Sequence, residues 1–395
     1  MAKITYAIKD RVLTIAIDGK VDTNNATIVE KDVFDIIASQ ETEFDSFILD
    51  ADNLEYISSA GLRIILRLRK EQPTLKIINA STEVYNIFEM TGFSEMFPIE
   101  KGFRKLSIEG CTIIGKGAKG IVYRYDPETI IKAYINPESL PEIQQERNLA
   151  RKAFVLGIPT AISYDVVKVG DSYGSVFELL DAVTYTELIK NNPDKIKLLV
   201  KECADLLRLI HSTKVQPTDM PSILPLIEDW LETDKPYLKE DNYNKLSKMI
   251  SEIPSTTNML HCDFHTNNIM SQNDEAILID MNTLSYGNPI FELANIYITY
   301  VGFGEVNPSF VENFLGLPYD TAKKIWKLFL PLYLQTENPE KITMAEKKIK
   351  CLSYVRYMRH FVRRKDENKE EVEKIVKCCN DNLDVLLSEI NSLVI

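Results

Sequence analysis

The feature that most constrains the fold of this 395-residue chain is a predicted β-hairpin near residue 275. Two short runs, residues 268–270 and 277–279, carry no charge and are rich in apolar side chains, as expected of buried strands. Residues 271–275 between them are typical of a turn. A hairpin brings the start of its first strand and the end of its second strand to the same edge, so polar side chains at both ends should lie close together.

Three oxygen-bearing side chains flank this hairpin: Asp263 and Asn268 at its start and Asp280 at its end. A carboxylate can accept the proton of a hydroxyl group, and an amide oxygen together with a second carboxylate can bind Mg²⁺. Phosphoryl transfer from ATP requires these groups. We therefore predict Asp263 as the catalytic base and Asn268 and Asp280 as metal ligands. The alternative is an ordinary hairpin with polar surface residues.

A glycine-rich motif lies about 150 residues upstream. Its spacing, G-x-G-x-x-G-x-V, is formed by Gly115, Gly117, Gly120 and Val122. Glycines let the backbone pass close over phosphate groups. The turn of a Rossmann fold has the same glycine pattern, but a helix follows it. Here the chain continues as a strand, turns at residues 126–128 and returns as another strand, so we predict a hairpin that covers the phosphates of a nucleotide.

The pattern H-x-D-x-x-x-x-N, with Ile-Asp twelve residues after the Asn, resembles the aminoglycoside phosphotransferase and choline kinase group. This is a protein-kinase-like family that acts mostly on small-molecule hydroxyl groups. Its usual text is close to H-G-D-x-H-x-x-N followed by I-D-W or I-D-F. Cys262 stands here in place of the glycine, and Met281 in place of the aromatic residue.

The resemblance implies a set of nucleotide-binding residues. Lys132 occupies the place of the lysine on the family's third strand, which orients the phosphates. Glu146, on a predicted helix, is the expected partner of Lys132, and Glu142 is the alternative; either could instead be solvated helix surface. Residues 174–180 are predicted to form a strand entering the hinge, where backbone groups near Glu178 to Leu180 would bind adenine. ATP and Mg²⁺ are the implied cofactors.

Residues 287–294 resemble the family's G-D-P-x-x-D-L-A, with Asn288 and Glu292 at the two carboxylate positions. The first replacement removes a negative charge that the family uses structurally. His261 is expected to brace the catalytic loop, while His211 and His265 are assigned no chemistry.

The first 102 residues are predicted to form a separate domain from the one that contains these motifs, because strand-like and helix-like segments alternate within them. This is typical of a small α/β domain. Residues 56–63 resemble the Y-x-[SD]-S-x-G-L loop of the STAS domain of anti-sigma-factor antagonists. The predicted fold class is thus an α/β STAS-like domain, residues 1–102, followed by an α+β protein-kinase-like domain, residues 103–395. Its two lobes are expected at about 103–180 and 181–395.

In the STAS family, a serine or threonine of this loop is phosphorylated by a partner kinase. Alignment on Gly61 places Ala60 at the position where some members carry that residue, so Ser59 or Ser58 is the candidate here. The loop precedes a predicted helix, whose N-terminal N–H groups favour a phosphate. The alternative is that both serines are helix caps. An anti-sigma-type kinase or another STAS protein is the implied partner.

Composition narrows the classes of partner. The net charge of −12 argues against nucleic acid as the main partner. No apolar run approaches the roughly 20 residues of a membrane helix, and the N-terminus lacks the apolar segment of a signal peptide. The six cysteines show no C-x-x-C pattern, so neither a zinc site nor a disulfide framework is expected. A cytoplasmic protein fits these features.

Three functions compete on this sequence. The favoured one is an ATP- and Mg²⁺-dependent phosphotransferase that acts on a hydroxyl group of a small molecule and carries a regulatory STAS domain. The second is a kinase that phosphorylates a STAS serine, its own or that of another protein. The third is a signalling module without enzymatic activity, in which an ATP-binding domain regulates STAS pairing. The sequence does not name the acceptor.

Overall fold

The structure is a computed structural model. It describes residues 2–40, 43–117, 119–364 and 369–395. The chain divides into two compact units. The first comprises residues up to 111 with 133–137 and 166–174, and the second comprises 112–132, 138–165 and 175–395. Within the described ranges, every helix is too short or too polar to span a bilayer.

The first hundred residues form a mixed sheet with helices. Its strands are β1 (Lys3–Lys9), β2 (Val12–Val21), β3 (Ser46–Asp50), β4 (Leu54–Ile57), β5 (Lys76–Ala80) and β6 (Ile99–Lys101). Its helices are α1 (Ala26–Ala38), α2 (Ser59–Glu71), α3 (Thr82–Met90) and α4 (Phe93–Met96). The strand order is β1–β2–β3–β5–β6, and β4 pairs with β2. β1 and β2 pair antiparallel, whereas β2 pairs with β3, and β3 with β5, in parallel.

Alternation of apolar residues explains this sheet. In β2, Leu13, Ile15 and Ile17 are buried while the residues between them are more exposed, as a period of two requires. The helix α2 buries Leu62, Ile64, Ile65 and Leu68 on one face. Strand β4 includes the first two residues of the predicted loop 56–63, because Leu54 and Ile57 are buried against the sheet.

The remainder of the chain has more strands and is rich in helices. Its strands are β7 (Arg104–Lys105), β8 (Thr112–Lys116), β9 (Gly120–Arg124), β10 (Thr129–Tyr134), β11 (Ser163–Val169), β12 (Ser172–Glu178), β13 (Val183–Thr184), β14 (Asn258–Leu260), β15 (Ile269–Gln272), β16 (Glu275–Leu278) and β17 (Ser285–Gly287). Its helices are α5 (Leu140–Val155), α6 (Tyr185–Asn191), α7 (Ile196–Ser212), α8 (Leu224–Asp234), α9 (Glu240–Ser251), α10 (Ile290–Tyr297), α11 (Phe303–Val306), α12 (Pro308–Leu315), α13 (Tyr319–Leu334), α14 (Pro339–Val362) and α15 (Lys369–Glu389).

These strands form three sheets that support the site. The largest has the order β7–β11–β12–β10–β9–β8, and two small sheets join β13–β15–β16 and β14–β17. A buried core built mainly of helical residues includes Trp230, Leu260, Phe291 and Tyr357. The core fixes the ends of the small strands, from which the polar loops extend.

The predicted central hairpin is present as β15 and β16, with Ile269 opposite Leu278. Its turn is tighter than expected, since the strands extend to Gln272 and Glu275. Asn273 and Asp274 form the turn with φ of 52° and 63°. Both are residue types that tolerate left-handed backbone, which two-residue hairpin turns require.

Candidate active site

The loop before the hairpin holds Asp263 and Asn268 together. Nδ2 of Asn268 donates to the backbone oxygen of Asp263 at 3.0 Å and to its carboxylate Oδ2 at 3.2 Å. The backbone oxygen of Asn268 accepts from Ile279 at 2.9 Å, just before Asp280. The hairpin therefore brings the beginning of the loop and the end of the second strand to one rim, as the sequence indicates.

Asp263 lies in a polar pocket of histidines. Its Oδ1 is 3.4 Å from Nε2 of His265, and its backbone N–H points to Nδ1 of the buried His261 at 3.3 Å. Burial raises the pKa of Asp263, but interactions with His265, His261 and Asn268 outweigh this effect, and the net pKa lies below the ordinary value. With its side chain 41 % exposed, Asp263 offers an ionised carboxylate that a hydroxyl group can reach.

Glu292 of α10 braces this loop from below, a role that the sequence does not reveal. Its carboxylate accepts the backbone N–H of His261 at 2.9 Å and that of Cys262 at 2.8 Å. It is fully buried and also contacts His211. The sequence feature that could have indicated this role is the position of Glu292 in the motif G-N-P-x-x-E-L-A, residues 287–294. Asn288, the other replacement, lies before α10, and its Oδ1 accepts the N–H of Ile290 at 3.2 Å.

Cys262 adopts a left-handed backbone conformation, with φ of 65°. Such a conformation costs about 1 kcal/mol for a residue other than glycine. Glycine adopts this conformation without that cost, so it suits the position, whereas the cysteine needs other contacts to offset the cost. The hydrogen bond to Glu292 and another from Asn295 Nδ2 to the Cys262 oxygen, at 3.4 Å, hold the strained peptide in place.

Lys132 of β10 joins two acidic groups. Its Nζ is 2.9 Å from Oε1 of Glu146 on α5 and 3.4 Å from Oδ1 of Asp280. Glu146 is buried, whereas Lys132 is 19 % exposed and reaches the site. The alternative partner, Glu142, instead lies 3.6 Å from Lys119 on the exposed surface. Of the two glutamates considered, the structure places Glu146 beside Lys132.

Asp280 sits in a turn after β16. Its φ of 62° is left-handed, and the short 3₁₀ helix Met281–Thr283 begins directly after it. Met281 is buried in the core where the family has an aromatic residue, so its apolar side chain fills the corresponding position. The strained turn directs the carboxylate of Asp280 toward Lys132 rather than along the strand.

The predicted glycine hairpin is formed by β8 and β9. Its turn is closed by a hydrogen bond from the Gly117 N–H to the Gly120 oxygen at 2.9 Å, and residue 118 lies outside the described residues. A Cβ on Gly115 would only touch Val122 at 3.6 Å, which is ordinary contact, and Gly115 has no positive φ. Internal packing therefore does not require glycine there, whereas close approach of a ligand to the backbone would.

A cavity of about 910 Å³ lies beneath this hairpin. Its lining includes the predicted residues Gly115, Gly117, Gly120, Val122, Lys132, Glu146, Glu178, Leu180, Asn268 and Asp280. Asp263 is not among the lining residues, but it is hydrogen-bonded to Asn268, which is. The cavity walls near β12 include apolar groups such as Phe177 and Leu179 as well as backbone, as a flat aromatic ring requires.

The hinge segment is held by its own hydrogen bonds. The Glu178 side chain accepts the N–H of Ile162 at 2.7 Å, and the N–H of Leu179 donates to the oxygen of Glu128 at 2.7 Å. The side chain of Glu178 therefore serves the fold. Binding of a base at this position must use the backbone groups that these contacts do not occupy.

The donor set suits a hard divalent cation. Since Nδ2 of Asn268 donates to Asp263, its Oδ1 is the remaining polar atom of that side chain. The Asp280 carboxylate supplies a second oxygen. Among the described residues, no three His, Cys, Asp or Glu side chains converge as metal ligands. A cation here would thus keep water and phosphate oxygens as its other ligands, as Mg²⁺ usually does.

The two serine candidates in the STAS-like region differ in environment. Ser58 is the N-cap of α2: its Oγ accepts the N–H of Gly61 at 3.4 Å, and it is buried. Ser59 is the first helical residue and is exposed. The cap interpretation thus describes Ser58, and Ser59 is the accessible hydroxyl.

Comparison with known proteins agrees with this architecture. The model of the STAS domain matches residues 3–106, and the model of the phosphotransferase enzyme family matches residues 111–321, more than half of the chain. BtrV of Bordetella bronchiseptica, named as a candidate anti-sigma factor antagonist, is 33 % identical over 101 residues, which are 25 % of this chain and 84 % of that protein. The predicted domain limits at 102 and 103 remain a prediction.

Several solved structures are similar at low identity. Amicoumacin kinase hAmiN, in complex with AMP-PNP, Ca²⁺ and Ami, is 16 % identical with a TM-score of 0.49, covering 75 % of this chain and 93 % of that one. A choline/ethanolamine kinase family protein from Mesorhizobium loti is 14 % identical with a TM-score of 0.46, covering 70 % and 91 %. An anti-sigma factor antagonist from Mycobacterium paratuberculosis is 17 % identical with a TM-score of 0.23, covering 25 % and 86 %.

With TM-scores below 0.5, these structures add nothing to the assignment, which rests on the two family models. Those models confirm the predicted STAS-like α/β domain followed by a protein-kinase-like domain. They also confirm the prediction that the chain is a kinase, a phosphotransferase with an alcohol group as acceptor. The chain belongs to the phosphotransferase enzyme family.

Proposed function

We propose that this protein is an ATP- and Mg²⁺-dependent phosphotransferase that acts on a hydroxyl group of a small molecule and is regulated by its STAS domain. The proposal includes a regulatory domain at residues 1–102 and a catalytic domain at residues 103–395, with lobes at about 103–180 and 181–395. The observation that carries it is the contact of Lys132 with both Glu146 and Asp280 beneath a glycine hairpin.

Each group has a role that its chemistry supports. Lys132, held by Glu146, orients the phosphates of the nucleotide, and the backbone at Gly115, Gly117 and Gly120 covers them. Asn268 and Asp280 hold Mg²⁺ through oxygen atoms. Backbone groups between Glu178 and Leu180 bind adenine.

Bound MgATP supplies the phosphoryl group and neutralises charge on the phosphates. Asp263 hydrogen-bonds the acceptor hydroxyl and takes its proton as the oxygen–phosphorus bond forms and the bond to ADP breaks. Its lowered pKa keeps it ionised at neutral pH, ready for this role. Asn268 fixes the carboxylate orientation through the 3.2 Å hydrogen bond. Because the proposed enzyme uses ATP, we place it in the cytoplasm.

A second candidate is a kinase, or an ATP-sensing module, of a partner-switching system that phosphorylates or regulates a STAS serine. The exposure of Ser59 at the start of α2 favours it. A phosphate there would meet the N–H groups of the first helical turn. In this case an anti-sigma-type kinase or another STAS protein is the partner.

The test is to measure ADP release and intact protein mass in Mg-ATP, alone and with a panel of hydroxyl compounds. We expect ADP release only with an acceptor, no gain in protein mass, and loss of turnover in Asp263→Asn. In calorimetry, Asp280→Ala should abolish the Mg²⁺ dependence of ATP binding. Turnover in Asp263→Asn equal to wild type would refute the proposed function, and a gain of one phosphate on the protein alone would favour the second candidate.

A further inference from the structure

Helix α14 is tied to the catalytic loop through α10. Ser353 of α14 donates to the backbone oxygen of Ala294 in α10 at 3.0 Å. The next residue of α10, Asn295, donates to the oxygen of Cys262 at 3.4 Å. Arg356 lies three residues after Ser353 and thus on the same face of α14. These contacts link this face of α14 to the loop that contains Cys262 and Asp263.

Arg356 is the unusual residue of this face. Its guanidinium lies over the ring of Trp230 in α8, 5.4 Å from the ring centre. One terminal nitrogen, Nη1, is buried and has no hydrogen-bond partner among the residues that the structure describes. Asp263 contributes a favourable charge interaction to Arg356, which agrees with their proximity. A buried guanidinium nitrogen without a partner is costly, so a ligand there would gain from it.

Asp229 and Asp234 of helix α8 do not neutralise Arg356. Asp229 is shared by Arg359, at 2.9 Å, and Arg363, at 3.2 Å. The other nearby acid, Asp234, is 0 % exposed, and neither of its oxygens has a partner among the described residues. Burial raises the pKa of Asp234 to about 9, against the charges of Arg359 and Arg356, so at pH 7 it is neutral. Arg359 and Arg363 thus share the carboxylate of Asp229. Arg356 interacts with the charge of Asp263.

A further polar atom of the cluster is also unsatisfied. The indole Nε1 of Trp230 is buried and lacks a partner within the described part of the chain. Trp230 and Asp234 are four residues apart in α8, so they share a helical face. Nearby His360, whose pKa is lowered to about 4 by burial and by the arginines, is neutral at pH 7. Nη1 of Arg356 and Nε1 of Trp230 are thus two buried donors of this cluster without a partner among the described residues.

We propose that Arg356, beside Trp230 and Asp234, binds an anionic group of the phosphate acceptor, a carboxylate or a phosphate. The inference rests on the proposed function, because it names the class of substrate that presents its hydroxyl to Asp263. A guanidinium recognises either group through paired N–H donors. The acceptor is then a hydroxy acid or a phosphorylated alcohol. A polycationic or neutral acceptor would leave the cluster uncompensated.

The experiment uses four three-carbon alcohols that differ in charge: glycerol, serinol, glycerate and glycerol phosphate. Binding to the full-length protein is followed by tryptophan fluorescence, with Trp326→Phe as the background so that Trp230 gives the signal, and transfer is followed by ADP release. We expect a saturable change with glycerate or glycerol phosphate, weakened by added salt, and none with glycerol or serinol. The comparison of the two anions distinguishes a carboxylate site from a phosphate site.

The variants are Arg356→Gln, Arg356→Lys and the control Lys347→Gln. Lys347 lies on the same helix but pairs with Glu389 at 2.7 Å. In Arg356→Gln, Kd and KM for the anion should rise at least tenfold with kcat and KM for ATP unchanged. Arg356→Lys, which keeps the charge and guards against misfolding, should be intermediate, and Lys347→Gln should match wild type.

Equal anion binding by Arg356→Gln and wild type, a preference for serinol, or no binding of either anion would overturn the inference. Asp263→Asn separates it from the proposed function. That variant should lose transfer but keep anion binding. If it keeps transfer while Arg356→Gln loses anion binding, the proposed role of Asp263 is wrong and the anion site stands.

Discussion

Nε2 of His211 lies 2.8 Å from Oε2 of Glu292, and both side chains are buried. The same carboxylate accepts the N–H groups of His261 and Cys262, and the other ring nitrogen of His211 lies 2.7 Å from the hydroxyl of Tyr333. A chain of polar contacts thus connects helix α13 to the peptide bonds that precede Asp263. The catalytic loop is held by a buried network, which explains how Cys262 can adopt its left-handed conformation.

The first prediction concerns Glu292. Glu292→Ala leaves the buried N–H of His261 and the partly buried N–H of Cys262 without an acceptor, so the free energy of unfolding should fall by about 3 kcal/mol. Since Asp263 would shift with the loop, kcat should fall about 100-fold. Denaturant unfolding and steady-state kinetics measure the two effects. Asp320→Ala, at a carboxylate that is 93 % exposed, is the control and should change neither. A fully active Glu292→Ala would show that the brace is dispensable.

The second prediction compares two glutamates of α5. Glu146→Gln removes the charge that holds Lys132, so kcat/KM for ATP should fall about 10- to 100-fold. Glu142→Gln removes only a surface contact with Lys119 and should be close to wild type. ADP release at varied ATP concentration measures both. Equal losses in the two variants would contradict the assignment of Glu146.

The third prediction concerns the pH dependence of turnover. The pKa of Asp263 is lowered, so its carboxylate stays ionised as pH falls to the ordinary range of an aspartate, about 4. The acidic limb of kcat/KM that Asp263 controls should therefore lie below pH 4, and the rate should not fall between pH 7 and pH 5 from this cause. A pH profile limited to the range in which the protein stays folded tests this. A limb near pH 6 that disappears in Asp263→Asn would contradict it.

The fourth prediction concerns stability and Asp234. Its folded-state pKa of about 9 lies above the unfolded value near 4, so the native state binds the extra proton between these pH values. The free energy of unfolding should therefore fall as pH rises through this window, by up to about 1.4 kcal/mol per pH unit. Asp234→Asn should remove this contribution, making the variant more stable than wild type at pH 8. Urea unfolding at pH 5 and pH 8 measures it, and an unchanged pH dependence in the variant would contradict it.

The fifth prediction concerns the STAS-like region. Where a partner kinase supplies phosphate, we expect it on exposed Ser59 before buried Ser58, because Ser58 already caps α2. Ser58→Ala should cost about 1 kcal/mol of stability, and Ser59→Ala much less. Phosphosite mapping by mass spectrometry, after incubation with an anti-sigma-type kinase, is the measurement.

A control separates transfer by the partner from self-phosphorylation. Wild type and Asp263→Asn are each incubated with Mg-ATP alone, and we expect no label in either. Label on Ser59 in wild type only would show that the chain modifies itself and would contradict the small-molecule acceptor.

The sequence by itself determined the local motifs. Asp263, Asn268 and Asp280 flank one hairpin, and two short apolar runs separated by turn residues predict that hairpin without distant contacts. The glycine spacing followed by a strand likewise excluded a Rossmann turn. Both families were recognisable because their signatures are short and contiguous.

Only the tertiary structure decided the contacts between distant segments. Lys132 and Asp280 are 148 residues apart, and Glu146 rather than Glu142 faces the lysine because of how α5 rotates against the sheet. The brace by Glu292 and the link from α14 through α10 to the catalytic loop depend on how these helices pack on the core. Residue type and spacing do not encode such contacts, because the packing of many buried side chains sets which face of each helix meets the site.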